Sequence, residues 1–183
     1  DREKPGPVWR LWLSTVSTLL FCGGVAFYLH SSLAAVPDLQ AQEQDFLASR
    51  FLDAVPPDAQ GQPITLGNGA VLVGISYTPQ TIAPRDSLRI KSYFQTPKTP
   101  TTEIQIKVHL MQGKNSVMSD SHMVLRGLKS ALDWPQDKFT LDDHFVRIPN
   151  AIEPGTYRLT LILTTPDGKA LSPTLTLGPI SVR

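Results

Sequence analysis

The chain has 183 residues, with 17 Lys and Arg against 16 Asp and Glu, 16 Pro, 12 Gly and one Cys. That length allows one domain and an appendage. The balanced charge excludes the concentrated basic face that nucleic acid requires, and a lone Cys excludes an internal disulfide, a thiolate zinc cluster and paired-cysteine haem attachment.

Residues 1–10, DREKPGPVWR, read as a short charged N-terminal segment. From Leu11 to Val36 no Asp, Glu, Lys or Arg occurs. As a helix rising 1.5 Å per residue, residues 11–36 cover the roughly 30 Å hydrocarbon core of a bilayer, even when tilted. The expectation is one transmembrane helix. Trp9 and Trp12 at one end and Tyr28 toward the other suit headgroup depth. Gly23 and Gly24 at mid-span would let another membrane helix approach closely. A cleaved leader would have a shorter apolar core, with Ser32-Leu33-Ala34 as its cleavage site. Acylation at Cys22 is disfavoured by Phe21 before it and by the apolar run beyond, and a buried core helix by the length of that run. Arg2, Lys4 and Arg10 precede the span, whereas Asp38, Glu43 and Asp45 follow it before Arg50. Positive residues stay inside, so the N-terminus is expected in the cytoplasm and the remainder in a bacterial periplasm.

Residues 37–61 read as a connector. Leu39, Phe46, Leu47, Phe51, Leu52 and Val55 recur mainly at helical spacing, Asp38 is placed to cap, and Pro56 and Pro57 stop the pattern. A short amphipathic helix over 38–55 is expected, packed on its own domain or lying on the membrane surface.

From residue 62 to 183 the period becomes two. Ile104, Ile106, Val108 and Leu110 alternate with Glu103, Gln105, Lys107 and His109, as a strand with one buried face requires. Strands are expected also at 70–77, 87–95, 116–125, 139–148, 156–164 and 171–182, separated by turn-rich segments. Asp167-Gly168 between apolar runs is a tight-turn signal, and 126–134 is the least strand-like part. Pro79, Pro84, Pro97 and Pro100 belong to turns and edges. The fold class is therefore all-β: an antiparallel sandwich of immunoglobulin or fibronectin type, preceded by one transmembrane helix and a short amphipathic helix.

Asp120, the Trp134 loop, Asp142 or Asp143 before Ile148-Pro149, and Pro154-Gly155-Thr156-Tyr157 before the last hairpin form a recognisable order. Over roughly 110 residues it resembles the C-terminal β-sandwich of some multi-span envelope glycosyltransferases. The resemblance implies the fold; the multi-span catalytic part has no counterpart here, so transferase activity does not carry over.

No G-x-S-x-G, H-E-x-x-H, P-loop or dinucleotide fingerprint occurs, so no catalytic residue and no cofactor is expected. Three weaker constellations stand out. His109, Met111, Met118 and His122, with Met123, lie on two strands joined by the QGKN turn and combine imidazole with thioether, which suits Cu(I). Gap-filling Met and surface His are the plainer reading, and no metal is expected. Asp120, Asp142, Asp143 and His144 suggest a calcium or carboxylate site. Neighbours on a strand point to opposite faces, though, so Asp142 and Asp143 are expected as a solvated pair beside a turn. Trp134, and with it Tyr93, could stack on a sugar ring, whereas packing over the core edge is the plainer role.

The leading expectation is a non-catalytic, single-pass accessory or structural subunit of a larger membrane complex, respiratory or photosynthetic. Its partners would be integral membrane subunits and the lipid bilayer, with no nucleic acid. The alternatives are a carbohydrate-binding accessory protein of envelope polysaccharide synthesis, with a glycan as partner, and a periplasmic copper-delivery protein.

Overall fold

The period-two pattern folds into two five-stranded sheets packed face to face. A computed structural model describes residues 36–183, with side-chain surroundings from residue 40 onward. The expected span over 11–36, with Trp9, Trp12, Gly23, Gly24 and Tyr28, falls outside the described residues but for Val36 at its end. Among the described residues no helix is long and apolar enough to cross a membrane.

Helix α1, Val36–Ala48, is followed by strands β1 (Phe51–Leu52), β2 (Ile64–Thr65), β3 (Val71–Thr78), β4 (Thr81–Ile82), β5 (Ser87–Gln95), β6 (Gln105–Gln112) and β7 (Asn115–Met123). Strands β8 (Phe139–Arg147), β9 (Gly155–Thr164) and β10 (Leu175–Val182) complete the chain. One sheet has the order β1-β8-β5-β3-β2 and the other β4-β10-β9-β6-β7. Every pairing is antiparallel except that of β4 with β10.

The helix expected over 38–55 ends at Ala48, because Phe51 and Leu52 pair with Thr140 and Phe139 on β8. Leu141 N–H donates to the Arg50 carbonyl at 2.7 Å and extends that pairing. The chain thus gives up the helical period where a β8 backbone edge is there to be satisfied. The apolar Phe51 and Leu47 pack against the sandwich core.

The core is what alternation implies. Ile106, Val108 and Leu110 of β6 and Tyr157, Leu159, Leu161 and Leu163 of β9 are buried; they face Leu88, Ile90 and Phe94 of β5. Two hairpin turns follow their residues. Gly113 adopts φ +61 in the two-residue loop between Gln112 and Asn115, a conformation costly to any residue with a Cβ. Gly168, at φ +89, donates its N–H to Thr165 O at 2.9 Å and closes the turn before β10. Pro79, Pro84, Pro97 and Pro100 all lie between strands. The segment after β7 forms two 3-10 turns, Val124–Gly127 and Ala131–Asp133. Glu103 holds it, accepting from Ser130 Oγ and from Ala131 N at 3.0 Å.

Candidate functional site

Strand β7 is the edge of its sheet, and beyond its two-residue pairing with β1, so is β8. Between two such edges the interior of a sandwich comes close to solvent. On β7, Met118, Asp120 and His122 share the inward face, opposite the outward Ser119 and Ser121. On β8, Thr140, Asp142, His144 and Val146 do the same. Two Asp-x-His triplets, Asp120-Ser121-His122 and Asp142-Asp143-His144, therefore meet across the gap.

They meet crosswise. His122 Nε2 donates to Asp142 Oδ2 at 2.7 Å, and His144 Nε2 donates to Asp120 Oδ2 at 2.7 Å. The two imidazoles stack, with ring centroids 3.6 Å apart and planes inclined by 13°. Exposure falls steeply through the cluster: the Asp120 side chain is 38% exposed, His144 19%, His122 11% and Asp142 4%. A polar seam thus closes the sandwich edge, wet at Asp120 and dry at Asp142.

Asp142 has a second task. Its Oδ1 accepts from the Leu125 N–H at 2.9 Å, and Leu125 and Arg126 hold φ +54 and +57. Left-handed backbone at residues with a Cβ costs on the order of 1 kcal/mol or more each, so such a turn persists where surrounding contacts over-determine it. The buried carboxylate supplies one of those contacts. His122 is less well served: its Nδ1 is buried and has no hydrogen-bond partner. A native structure leaves few polar atoms in that condition.

The adjacent Asp143 points the other way. Arg89 donates to it from Nε at 2.8 Å and from Nη2 at 2.7 Å, and Arg50 from Nη1 at 2.9 Å. These bonds, led by that of Arg89, outweigh desolvation and hold the Asp143 carboxyl down at about 2. Arg89 also lies over the Phe145 ring, 5.3 Å from its centroid. Opposite faces for Asp142 and Asp143 were expected, but a solvated pair is corrected: Asp142 is 3% exposed and the Asp143 side chain 5%. Each carboxylate is buried because it has found partners, an imidazole and an amide on one face and two guanidinium groups on the other.

The other constellations do not converge. His109 and Met111 lie on the outer face of β6, where His109 Nδ1 is 3.3 Å from Ser116 Oγ. Met118 and His122 face the interior, on the opposite side of the same sheet. Trp134, the candidate glycan contact whose plainer role is packing over the core edge, is 4% exposed, packs 5.8 Å from the Phe94 ring and donates from Nε1 to the Lys129 carbonyl. It offers no free ring face. Tyr93 is fully buried as well.

No protein-family model matches the chain, and no curated protein matches it in sequence. Among solved structures, the Pseudomonas fluorescens alkylpurine DNA glycosylase AlkC, bound to DNA with an abasic-site analogue, aligns at TM-score 0.40 and 9% identity. That alignment covers 64% of this chain and 31% of the glycosylase, so this chain spans about a third of the glycosylase's length. A Niemann-Pick type C2 protein from the Japanese carpenter ant aligns at 0.39 and 11% identity, over 73% of this chain and 98% of that one. The CARDB domain of a Pyrococcus furiosus protein, in complex with di-metal ions, aligns at 0.36 and 8% identity, over 71% and 99%. At these TM-scores the likenesses carry no functional argument.

Proposed function

We propose that this protein is a non-catalytic, single-pass accessory subunit of a larger membrane complex, anchored by residues 11–36 and presenting its β-sandwich in the periplasm. The observation that carries the reading is a junction. An uncharged run, preceded by Arg2, Lys4 and Arg10 and followed first by Asp38, Glu43 and Asp45, leads within a short connector into a sandwich whose interior is filled by its own side chains. Such a layout presents a folded surface outside a bilayer. The sandwich is of immunoglobulin or fibronectin type. In support, three long strands, β3, β5 and β8, face four, β10, β9, β6 and β7. In addition, Tyr157, near the start of β9, donates its hydroxyl to the Glu153 carbonyl at 2.6 Å, as a tyrosine corner does. The partners are integral membrane subunits that receive the helix.

Two measurements test this. In a Cys22→Ser background, Ser119→Cys on the outer face of β7 should react with a membrane-impermeant maleimide in spheroplasts with intact inner membranes. Labelling only after lysis would overturn the topology. In mild detergent the native chain should migrate with integral membrane proteins in a defined stoichiometry; a chain that migrates alone would overturn the accessory role.

A further inference from the structure

We propose that Asp120, His122 and His144 form a binding site for a divalent transition-metal ion of the zinc class, with Asp142 orienting His122 from outside the coordination sphere. One ligating atom from each of Asp120, His122 and His144 lies within 4.8 Å of the others. A tetrahedral ion with metal-to-nitrogen bonds near 2.0 to 2.1 Å needs donors about 3.4 Å apart. Binding requires the two imidazoles to tilt out of their stack, 3.6 Å apart and inclined by 13°, so that a lone pair of each points at one ion.

Three observations favour an ion over a purely structural seam. The first is the buried and unpartnered Nδ1 of His122, a member of the cluster. A buried nitrogen that makes no hydrogen bond is costly to leave unsatisfied, and a metal ion is a partner for its lone pair. The second is the arrangement around it. With Nε2 donating to Asp142, which is itself fixed by the Leu125 amide, His122 has the carboxylate-histidine support typical of metal ligands. The third is charge. Asp120 and Asp142 bring two carboxylates to one seam, a concentration of acidic groups that a divalent cation matches.

The donor set also selects the ion. Two imidazoles and one carboxylate suit zinc, cobalt and their neighbours. Asp120 is the most exposed member and marks the route of entry. There the cation would take the place of the proton now shared between His144 Nε2 and Asp120 Oδ2. Three protein ligands leave a fourth position for water or for a donor from a partner protein.

Titration of the full chain in detergent micelles with Co²⁺, followed by Zn²⁺, tests the site. One equivalent of Co²⁺ should produce the visible absorption bands of a four-coordinate nitrogen and oxygen site, and one equivalent of Zn²⁺ should abolish them. Asp120→Asn, at the half-exposed position where folding is least at stake, and His144→Ala should each lose the bands. Asp142→Asn should weaken affinity about 10- to 100-fold. His109→Ala, on the outer face, should change nothing. Absence of the bands from the native chain at one equivalent would overturn the proposal, as would their persistence in Asp120→Asn. The outcome is independent of the membrane reading, because the chain is in detergent throughout.

Discussion

The centre of the sandwich and its seam obey one geometric rule and are held by different forces. At the centre, inward positions of β6 and β9 carry Ile106, Val108, Leu110, Leu159 and Leu161, all buried without a polar atom in their side chains. At the seam, inward positions of β7 and β8 carry Asp120, His122, Asp142 and His144. Non-directional contacts tolerate small shifts of the central strands, whereas two hydrogen bonds of 2.7 Å and a ring stack at 3.6 Å require one register between β7 and β8. The centre supplies stability, and the seam fixes how the two edges align.

The comparison can be broken first at the centre. Leu161→Ala removes a fully buried side chain and should cost about 3 to 4 kcal/mol, read as a fall in the urea midpoint with unchanged slope. At the seam, Asp142→Ala leaves the His122 Nε2–H and the Leu125 N–H without their acceptor. It should cost about 2 to 3 kcal/mol and increase hydrogen exchange selectively over 124–127. A loss spread evenly over the sandwich would mean that the seam is only an extension of the core.

On the outer face, Asp143→Asn should cost on the order of 1 to 2 kcal/mol, and its effect depends on pH in a defined direction. The folded carboxyl titrates at about 2, below its ordinary value of 3.8. Its contribution is therefore complete above pH 4 and is lost as pH falls through 2. Between those values the stabilities of the native chain and the Asp143→Asn variant, measured by denaturant titration, should converge. Phe145→Ala, at a side chain 53% exposed, should change stability by less than about 0.5 kcal/mol.

Most of the fold was legible because alternation is local. Ile104 to Leu110, the QGKN turn and Asp167-Gly168 state their conformation within a few residues, and the long strands lie within a few residues of their expected bounds. The end of α1 was not legible, because Phe51 and Leu52 suit a helix and a strand equally, and a partner ninety residues away decides between them. The site was half legible. Asp120, His122, Asp142 and His144 all stood out, but divided between a copper group and a carboxylate group, since pairing between sheets leaves no periodic trace. The usable signal was the repeated Asp-x-His triplet: a spacing of two puts both side chains of each triplet on one strand face.

The attachment of the chain to β8 has a mechanical consequence. Phe51 and Leu52 join the sandwich as a two-residue strand on an edge, with the guanidinium of the preceding Arg50 clamped to Asp143 and the Leu141 amide on the Arg50 carbonyl. Tension arriving along the backbone from residue 49 is therefore delivered to β8, the strand whose opposite face carries Asp142 and His144. The Arg50 clamp acts as a latch that must open before so short a strand can peel, and any ion seated in the seam stiffens the same strand from behind.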